Sequence, residues 1–259
     1  GEPTMVRPEH LDRICRILVD EIGKAAQVKF AIQTNAMLLT DAWIDVFAKY
    51  AMGVGVSLDG PPQVNDAQRV DFQMRGTHAR TLRGIALLKK AATEGRLGRP
   101  AVLCVIDPTQ NGREIFDHFV KDVGIQWLDF LLPIETHDSC GAAVGSQVGR
   151  YLQEVFDAWR EHGDRKVAIR FFDLFYSFMT GHDRQRNEVL KSSSKRTLIL
   201  SIESDGSYGP DDTLRIVSDE YFEFDSAATP LREYLTDERI KEYFHALSVA
   251  PAACSSCPW

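Results

Sequence analysis

Val54-Gly55-Val56-Ser57-Leu58-Asp59-Gly60-Pro61-Pro62 is the stretch that decides the fold class. A run of small and β-branched residues ends abruptly in Asp-Gly-Pro-Pro, which predicts a short strand followed by a turn. Before this run, apolar residues recur at helical spacing between Asp41 and Tyr50, with Thr40 in the position of an N-cap. The sequence here therefore predicts a helix, then a strand, then a polar turn.

The same order of helix and strand recurs along the first half of the chain. The predicted strands cover about 28–33, 54–58, 100–106 and 125–134. The first predicted helix covers about 10–26, and Gly124 ends the last one. Helices that alternate with strands are typical of an α/β protein with a parallel sheet, which is the fold class that we predict.

The regular alternation of helix and strand stops after Pro133. The small residues over 141–149 predict a flexible segment. We therefore expect a first domain over 1–144, linker helices within 145–196 and a second module over 197–259. Near the start of that module, Asp205-Gly206 lies between β-prone residues and predicts a β-hairpin.

Composition limits the possible partners. The 259 residues include 30 Lys+Arg and 37 Asp+Glu, so the formal net charge is −7, and the basic residues are scattered. We therefore expect neither nucleic acid nor a membrane as a partner. No apolar run approaches the roughly 20 residues of a membrane span, and we expect a cytoplasmic protein. The chain starts at Gly1 and ends at Trp259, directly after Cys-x-x-Cys-Pro, so we expect a longer protein on both sides.

Polar side chains collect where the predicted strands end. Examples are Gln33 and Asn35 after one strand, and Ser57 and Asp59 around the end of the next. The carboxyl ends of parallel strands open on one face of such a fold. Carboxylates and amides there can hold an α-amino group and ribose hydroxyls, and Arg69 can clamp an α-carboxylate. The pattern predicts a site for a zwitterionic nucleoside.

The same residues also have simpler interpretations. Asn35 and Asp59 can build turns, Ser57 can cap a neighbouring segment, and Arg69 can be a solvated surface charge. Chemistry alone leaves both interpretations open.

Four short motifs stand in order: Gly1-Glu2-Pro3, Ile32-Gln33-Thr34-Asn35, Gly55-Val56-Ser57-Leu58-Asp59-Gly60-Pro61, and Arg69 followed by Gly76-Thr77. Together they resemble the radical S-adenosylmethionine (SAM) superfamily. Within it, they are most similar to members with a SPASM-type C-terminal extension, such as anaerobic sulfatase-maturating enzymes and peptide maturases. The resemblance implies a partial (β/α)6 barrel that lacks its first strand, followed by a truncated SPASM-like module.

The resemblance also implies which residues bind SAM: Gly1, Glu2, Pro3, Gln33, Asn35, Ser57, Asp59, Arg69 and Leu132. The family's Cys-x-x-x-Cys-x-x-Cys loop, which holds the catalytic 4Fe-4S cluster, does not occur in this sequence. We expect it upstream of Gly1.

Two cysteines near the end form the recognisable ligand pair of the sequence. Cys254 and Cys257 have a spacing that suits an iron-sulfur cluster or zinc, with two unpaired thiols as the alternative. The resemblance implies an auxiliary iron-sulfur cluster. Cys15 and Cys104 are expected to be packing residues, and Cys140 is a weaker candidate ligand.

The segment Pro210-Asp211-Asp212-Thr213-Leu214 departs from the sulfatase-maturating pattern, which has a cysteine where this chain has Asp211. The departure implies fewer or altered auxiliary clusters, and the segment resembles maturases that form cyclophanes. Asp212 aligns with the residue proposed as general base in the sulfatase-maturating relatives, and a capping or turn aspartate is the alternative.

The function that the resemblance implies is oxidative modification of a peptide. SAM is cleaved to a 5'-deoxyadenosyl radical, and a carbon-carbon or thioether crosslink is then installed in a ribosomal precursor peptide. An electron donor such as ferredoxin or flavodoxin is implied as a partner. The alternatives are sulfatase maturation and a non-catalytic barrel that binds SAM or peptide.

Overall fold

Five parallel strands form the main sheet of the computed structural model, which describes residues 1–134, 141, 143–180 and 199–246. In spatial order they are β1 (Ala31–Thr34), β2 (Gly53–Ser57), β3 (Ala101–Val105), β4 (Trp127–Leu131) and β5 (Ala168–Ile169). Each strand pairs in parallel with the next one along the chain. The prediction of an α/β fold with a parallel sheet is confirmed.

Helices connect these strands. They are α1 (Pro8–Ile22), α2 (Asp41–Lys49), α3 (Pro62–Gln68), α4 (His78–Thr93), α5 (Gly112–Asp117), α6 (Val144–His162) and α7 (Arg170–Thr180). A π-helical turn over His118–Val123 continues α5 and ends at Gly124, whose φ of 71° is the left-handed conformation that favours glycine. Among the described residues, no helix combines the length and apolar character that crossing a membrane requires.

The two faces of the sheet differ in their surroundings. Alternate residues such as Val56, Val102 and Phe130 are buried in a core that they share with helical residues. The residues between them, including Ser57 and Leu103, point away from this core and are less buried. We call the second side the open face, defined by Gln33, Gly55, Ser57, Leu103 and Asp129.

Two details differ from the sequence-based expectation. The stretch expected to be flexible over 141–149 is helical from Val144, because Val148, Tyr151 and Val155 pack into the core and outweigh the low helix propensity of the glycines. The fifth strand was not predicted, since its two residues are too few to produce an alternating pattern.

The chain folds into two compact units. The first contains 1–133 and 141–175, and the second contains the described residues 134, 176–180 and 199–246. In the second unit, β6 (Ser201–Ile202) and β7 (Ser207–Gly209) form the predicted antiparallel hairpin, with Gly206 at a φ of 89° in its turn. The unit also contains β8 (Phe224–Asp225), α8 (Leu231–Tyr234) and α9 (Glu238–Ala246). Its small core consists of Tyr208, Phe224, Tyr234 and Ile240.

A pair of buried histidines joins α4 to the π-helical turn. The Nε2 atoms of His78 and His118 are 3.1 Å apart, and His118 Nδ1 lies 3.2 Å from the Asp122 carboxylate. If His118 donates to Asp122, its Nε2 is an acceptor, so His78 Nε2–H must be the donor. Burial lowers the pKa of His78, a charge on His118 lowers it further, and the nearby Asp66 carboxylate opposes both.

This pair predicts a loss of stability in mild acid. An unfolded histidine takes up a proton near pH 6.5, whereas folded His78 takes it up only at lower pH, so the unfolding free energy falls as pH drops below that value. Between about pH 7.5 and about pH 5.5, His78 contributes at most about 1.4 kcal/mol to this fall. Urea unfolding at both pH values measures the effect. His78→Gln should reduce it, and His10→Gln on the exposed side of α1 should not.

Gly84 lets α4 approach the loop that follows β1. A Cβ at Gly84 would collide with the carbonyl oxygen of Ala36. Ala36 has a φ of 59°, which is unusual for a residue with a side chain, and its N–H donates to Thr34 Oγ1 over 3.0 Å. Thr81 of the same helix donates to the Asn35 carbonyl oxygen. Helix α4 therefore fixes the backbone at the end of β1.

Gly84→Ala should lower the unfolding free energy by about 1–3 kcal/mol, because the added methyl group forces the β1 loop to move. Gly149→Ala is the matched control, since Gly149 is also helical and a Cβ there meets no atom within 4 Å. That control should raise stability by about 0.5–1 kcal/mol through helix propensity. Equal effects of the two substitutions in denaturant unfolding would contradict the close contact.

Candidate functional site

The carboxyl ends of β1 and β2 open into a cavity of about 340 Å³ in the first unit. Its lining residues are Gly1, Glu2, Gln33, Thr34, Asn35, Ser57 and Arg69. Six of these seven were singled out from the sequence, and Thr34 was not. The structure thus brings together, around one cavity, residues that lie up to 68 positions apart in the chain.

Glu2 links the N-terminal segment to the end of β1. Its Oε1 accepts a hydrogen bond from Thr34 Oγ1 over 2.6 Å, and its Oε2 accepts one from the Asn35 N–H over 2.7 Å. Thr4 also donates to Oε1 through its N–H, over 3.0 Å. Burial raises the pKa of the Glu2 carboxyl, but these hydrogen bonds outweigh burial and hold the pKa below its ordinary value. The cavity therefore contains a fixed negative charge.

Arg69 brings a positive charge to the other side of the cavity. Its Nε and Nη2 donate to Oδ2 and Oδ1 of Asp59 over 2.6 and 3.0 Å. Asp59 Oδ1 also accepts from the N–H of Val105 at the end of β3, over 3.0 Å. Asp59 is not among the residues that line the cavity, and it holds Arg69, which does line it. Arg69 Nη1 has no hydrogen-bond partner in the described part of the chain.

Neutral polar groups occupy the wall between these charges. Gln33 Nε2 donates to Ser57 Oγ over 3.2 Å, across the parallel pair β1 and β2. Asn35 Oδ1 accepts from the Met37 N–H over 3.0 Å, as in the turn that the simpler interpretation predicted. Asn35 nevertheless lines the cavity, so the turn and a binding role are compatible.

Two further predicted residues lie elsewhere in the first unit. Pro3 begins a short 3-10 helix over Pro3–Met5, with Glu2 as its N-cap, and does not line the cavity. Leu132 directly follows β4 and is half exposed, but it does not line the cavity either.

An apolar cavity of about 760 Å³, which the sequence did not reveal, shares Gly1, Glu2 and Asn35 with the polar one. Its other walls come from Met5, Met37, Leu38, the loop over 70–75 and Arg80. In that loop, Phe72 is 97% exposed, and Asp71 holds the turn by accepting hydrogen bonds from Arg75 and Arg80. A polar pocket thus adjoins an apolar one.

The sequence also did not predict an ion pair between Asp129 of β4 and Arg170 at the start of α7. Arg170 Nε donates to Asp129 Oδ2 over 2.6 Å. The only signal in the sequence was an aspartate within an apolar run, and its partner is 41 residues away.

The remaining predicted residues fall in other places. Asp212 is an exposed residue of the second unit and begins a 3-10 helix, Asp212–Ile216, that Asp211 caps by accepting from the Thr213 N–H. Cys254, Cys257 and Cys140 lie outside the described residues. Within those residues, no group of three or more His, Cys, Asp or Glu side chains is placed to hold a metal ion. Cys15 and Cys104 are buried and free, as expected for packing residues.

The polar cavity has the donor and acceptor set that a zwitterionic nucleoside requires. A carboxylate at one side suits an ammonium group, a guanidinium at the other suits a carboxylate, and the amides and hydroxyl between them suit sugar hydroxyls. The residues present therefore fit SAM.

Known proteins resemble the chain in sequence, and one of them does so over its whole length. A cysteine-type anaerobic sulfatase-maturating enzyme of Clostridium perfringens is 23% identical over 277 residues, which cover all of this chain and 70% of that protein. A serine-type anaerobic sulfatase-maturating enzyme of Bacteroides thetaiotaomicron is 27% identical over 192 residues, covering 67% of this chain and 45% of that protein. No protein-family model matches the chain.

Solved structures resemble it in fold. The structure of native anSMEcpe with bound AdoMet and Cp18Cys peptide superposes with a TM-score of 0.78 at 22% identity, covering all of this chain and 71% of that one. The structure of native anSMEcpe with bound AdoMet gives the same TM-score at 23% identity. These relatives are enzymes. In sequence and in fold, the chain is therefore similar to the anaerobic sulfatase-maturating enzymes.

Proposed function

We propose that this chain is the SAM-binding part of a radical SAM maturase that oxidises a side chain of a peptide or protein substrate. The observation that carries the proposal is the cavity at the ends of β1 and β2, where an ionised Glu2 and an Asp59-oriented Arg69 stand on either side of neutral polar groups. The relatives support the same chemistry, since one of them is known with AdoMet and a peptide bound.

Each group of the cavity has a distinct part in holding SAM. Glu2 faces the α-amino group, and the pKa that its hydrogen bonds lower keeps it charged at neutral pH. Arg69 faces the α-carboxylate through the edge of the guanidinium that Asp59 leaves open. Gln33, Asn35 and Ser57 face the ribose hydroxyls. SAM together with a reduced 4Fe-4S cluster would supply the 5'-deoxyadenosyl radical that abstracts hydrogen from the substrate.

Fixed positions matter more than affinity in this chemistry, because a radical must form within reach of one C–H bond. Glu2 is tied to β1 by Thr34 and Asn35, and Arg69 is tied to β2 and β3 through Asp59. The groups that hold SAM are therefore fixed to the sheet itself.

Sulfatase-type maturation, which oxidises one Cys or Ser side chain, is the specific reaction that the relatives favour. The Clostridium relative matches the chain from end to end. Crosslinking of a ribosomal peptide is the second candidate, because Asp211 replaces the cysteine of the sulfatase-maturating pattern and is followed by Asp212-Thr213-Leu214. In both reactions Asp212 acts as the general base, Cys254 and Cys257 bind an auxiliary iron-sulfur cluster, and ferredoxin or flavodoxin donates the electron.

The first test is SAM cleavage by the full-length protein that contains this chain. After anaerobic cluster reconstitution and reduction with dithionite, mass spectrometry should detect 5'-deoxyadenosine. Arg69→Lys should raise the SAM concentration needed for half-maximal rate at least about tenfold, since it removes the fork that both Asp59 and a carboxylate require. Arg69→Ala together with Asp59→Ala should abolish the product.

Arg113→Ala is the control for that test. Arg113 forms a two-point ion pair with Glu161 on the outside of α5 and α6, away from the cavity. Absence of 5'-deoxyadenosine from wild-type protein with a full iron content would contradict the proposal and favour a non-catalytic barrel.

A second test separates the two reactions. Incubation with the Cp18Cys peptide, which the relative binds, should give a product altered at one residue. Proteolysis on both sides of that residue and mass spectrometry would locate the change. Two peptide fragments that stay joined after proteolysis and reduction would instead identify a crosslinking maturase.

A further inference from the structure

The ion pair between Asp129 and Arg170 lies on the open face of the sheet. Strand register aligns Ser57 with Leu103 and Leu103 with Asp129, so these residues form one row across β2, β3 and β4. With strands about 4.8 Å apart, Asp129 is about 10 Å from Ser57, which lines the SAM cavity. Arg170 follows the carboxyl end of β5 and continues the row.

The two partners differ in exposure. The Asp129 side chain is only 11% exposed, whereas that of Arg170 is 59% exposed. An ionised carboxylate is costly to bury without a partner, so Asp129 holds the guanidinium in place through Nε and Nη2. The other side of the guanidinium points outward. Arg113 and Glu161, by contrast, are 42% and 57% exposed and form an ordinary surface pair.

Two polar atoms of this pair have no hydrogen-bond partner among the described residues. They are Oδ1 of Asp129, which is an acceptor, and Nη1 of Arg170, which is a donor. One acceptor beside one donor is the complement of a single residue in an extended chain, whose own N–H and C=O point to the same side. The surroundings are partly apolar, since Leu103 is its neighbour in the row and Val105 and Trp127 are exposed nearby.

We infer that Asp129 and Arg170 form a subsite that binds the backbone of an extended peptide substrate on the open face, beside the SAM cavity. The inference rests on the proposed function for the identity of the ligand as a peptide. Arg170 donates to a backbone carbonyl oxygen, and Asp129 orients Arg170 and accepts from a backbone N–H. Because the contacts are to the backbone, the subsite sets the position of the substrate without selecting its side chains.

The test measures binding of the Cp18Cys peptide to the full-length protein, together with SAM cleavage in its absence. Arg170→Lys keeps the charge above Asp129 but loses the planar fork, so the peptide Kd and KM should rise about tenfold while kcat and peptide-independent SAM cleavage stay unchanged. Arg113→Lys, the same change in a surface pair, should leave every value unchanged.

A second measurement needs no variant. In a set of peptides that each carry one N-methylated backbone amide, one position should weaken binding to the wild-type protein about tenfold, because it removes the hydrogen bond to Asp129. Any of three results would overturn the inference. The Arg170→Lys variant could bind the peptide as tightly as the wild type, N-methylation could have no effect at any position, or the wild-type protein could fail to bind the peptide. A different outcome would contradict the proposed function but still support the subsite. In it, the wild-type protein does not cleave SAM, yet it binds the peptide, and Arg170→Lys weakens that binding.

Discussion

Backbone N–H groups at the ends of parallel strands need acceptors, and carboxylates supply them in the first unit. Glu2 accepts from the N–H of Asn35 after β1, and Asp59 accepts from the N–H of Val105 at the end of β3. The bond to Asn35 is partly buried and the bond to Val105 is exposed, so Glu2 contributes more to the fold, whereas Asp59 mainly fixes the end of β3. The same two carboxylates set the charges around the polar cavity. The requirement that completes the sheet therefore also builds the site.

Because the same carboxylates bind the strand ends and set the charges of the cavity, the site is held in place without a ligand. Helix α4 closely approaches the loop after β1 at Gly84. Thr81 of that helix donates a hydrogen bond to the Asn35 carbonyl oxygen. On the other side, Asn65 Oδ1 accepts from the Asp59 N–H, and Asp59 in turn holds Arg69. Glu2, Asn35 and Arg69, which line the cavity, thus each have a partner in the scaffold. Rigid placement of this kind is what radical chemistry at one C–H bond requires.

The alternation of helix and strand made the sheet predictable, and the rule that ligand groups gather at strand ends made most of the cavity predictable. What the sequence could not give is the pairing of side chains. The sequence did not predict that Asp59 pairs with Arg69, and the partner of Asp129 is 41 residues away. Short elements such as β5 also leave no periodic signal. Patterns identify which end of a strand is polar, whereas contacts between distant segments depend on the register of the finished sheet.

Two of the Asp–Arg pairs in the first unit, Asp59–Arg69 and Asp129–Arg170, are built alike. In each, a carboxylate that is 11% exposed holds a guanidinium that is 30% or 59% exposed. A pair of this type is a weak source of stability, because removing the carboxylate from water offsets most of the attraction between the charges. Its distinct effect is orientation, since the buried partner fixes one edge of the guanidinium and leaves the other edge outward. Arg69 presents that edge to the polar cavity, and Arg170 presents it farther along the sheet. If the first binds the α-carboxylate of SAM, the second is placed for the molecule that must lie beside SAM, which is the peptide.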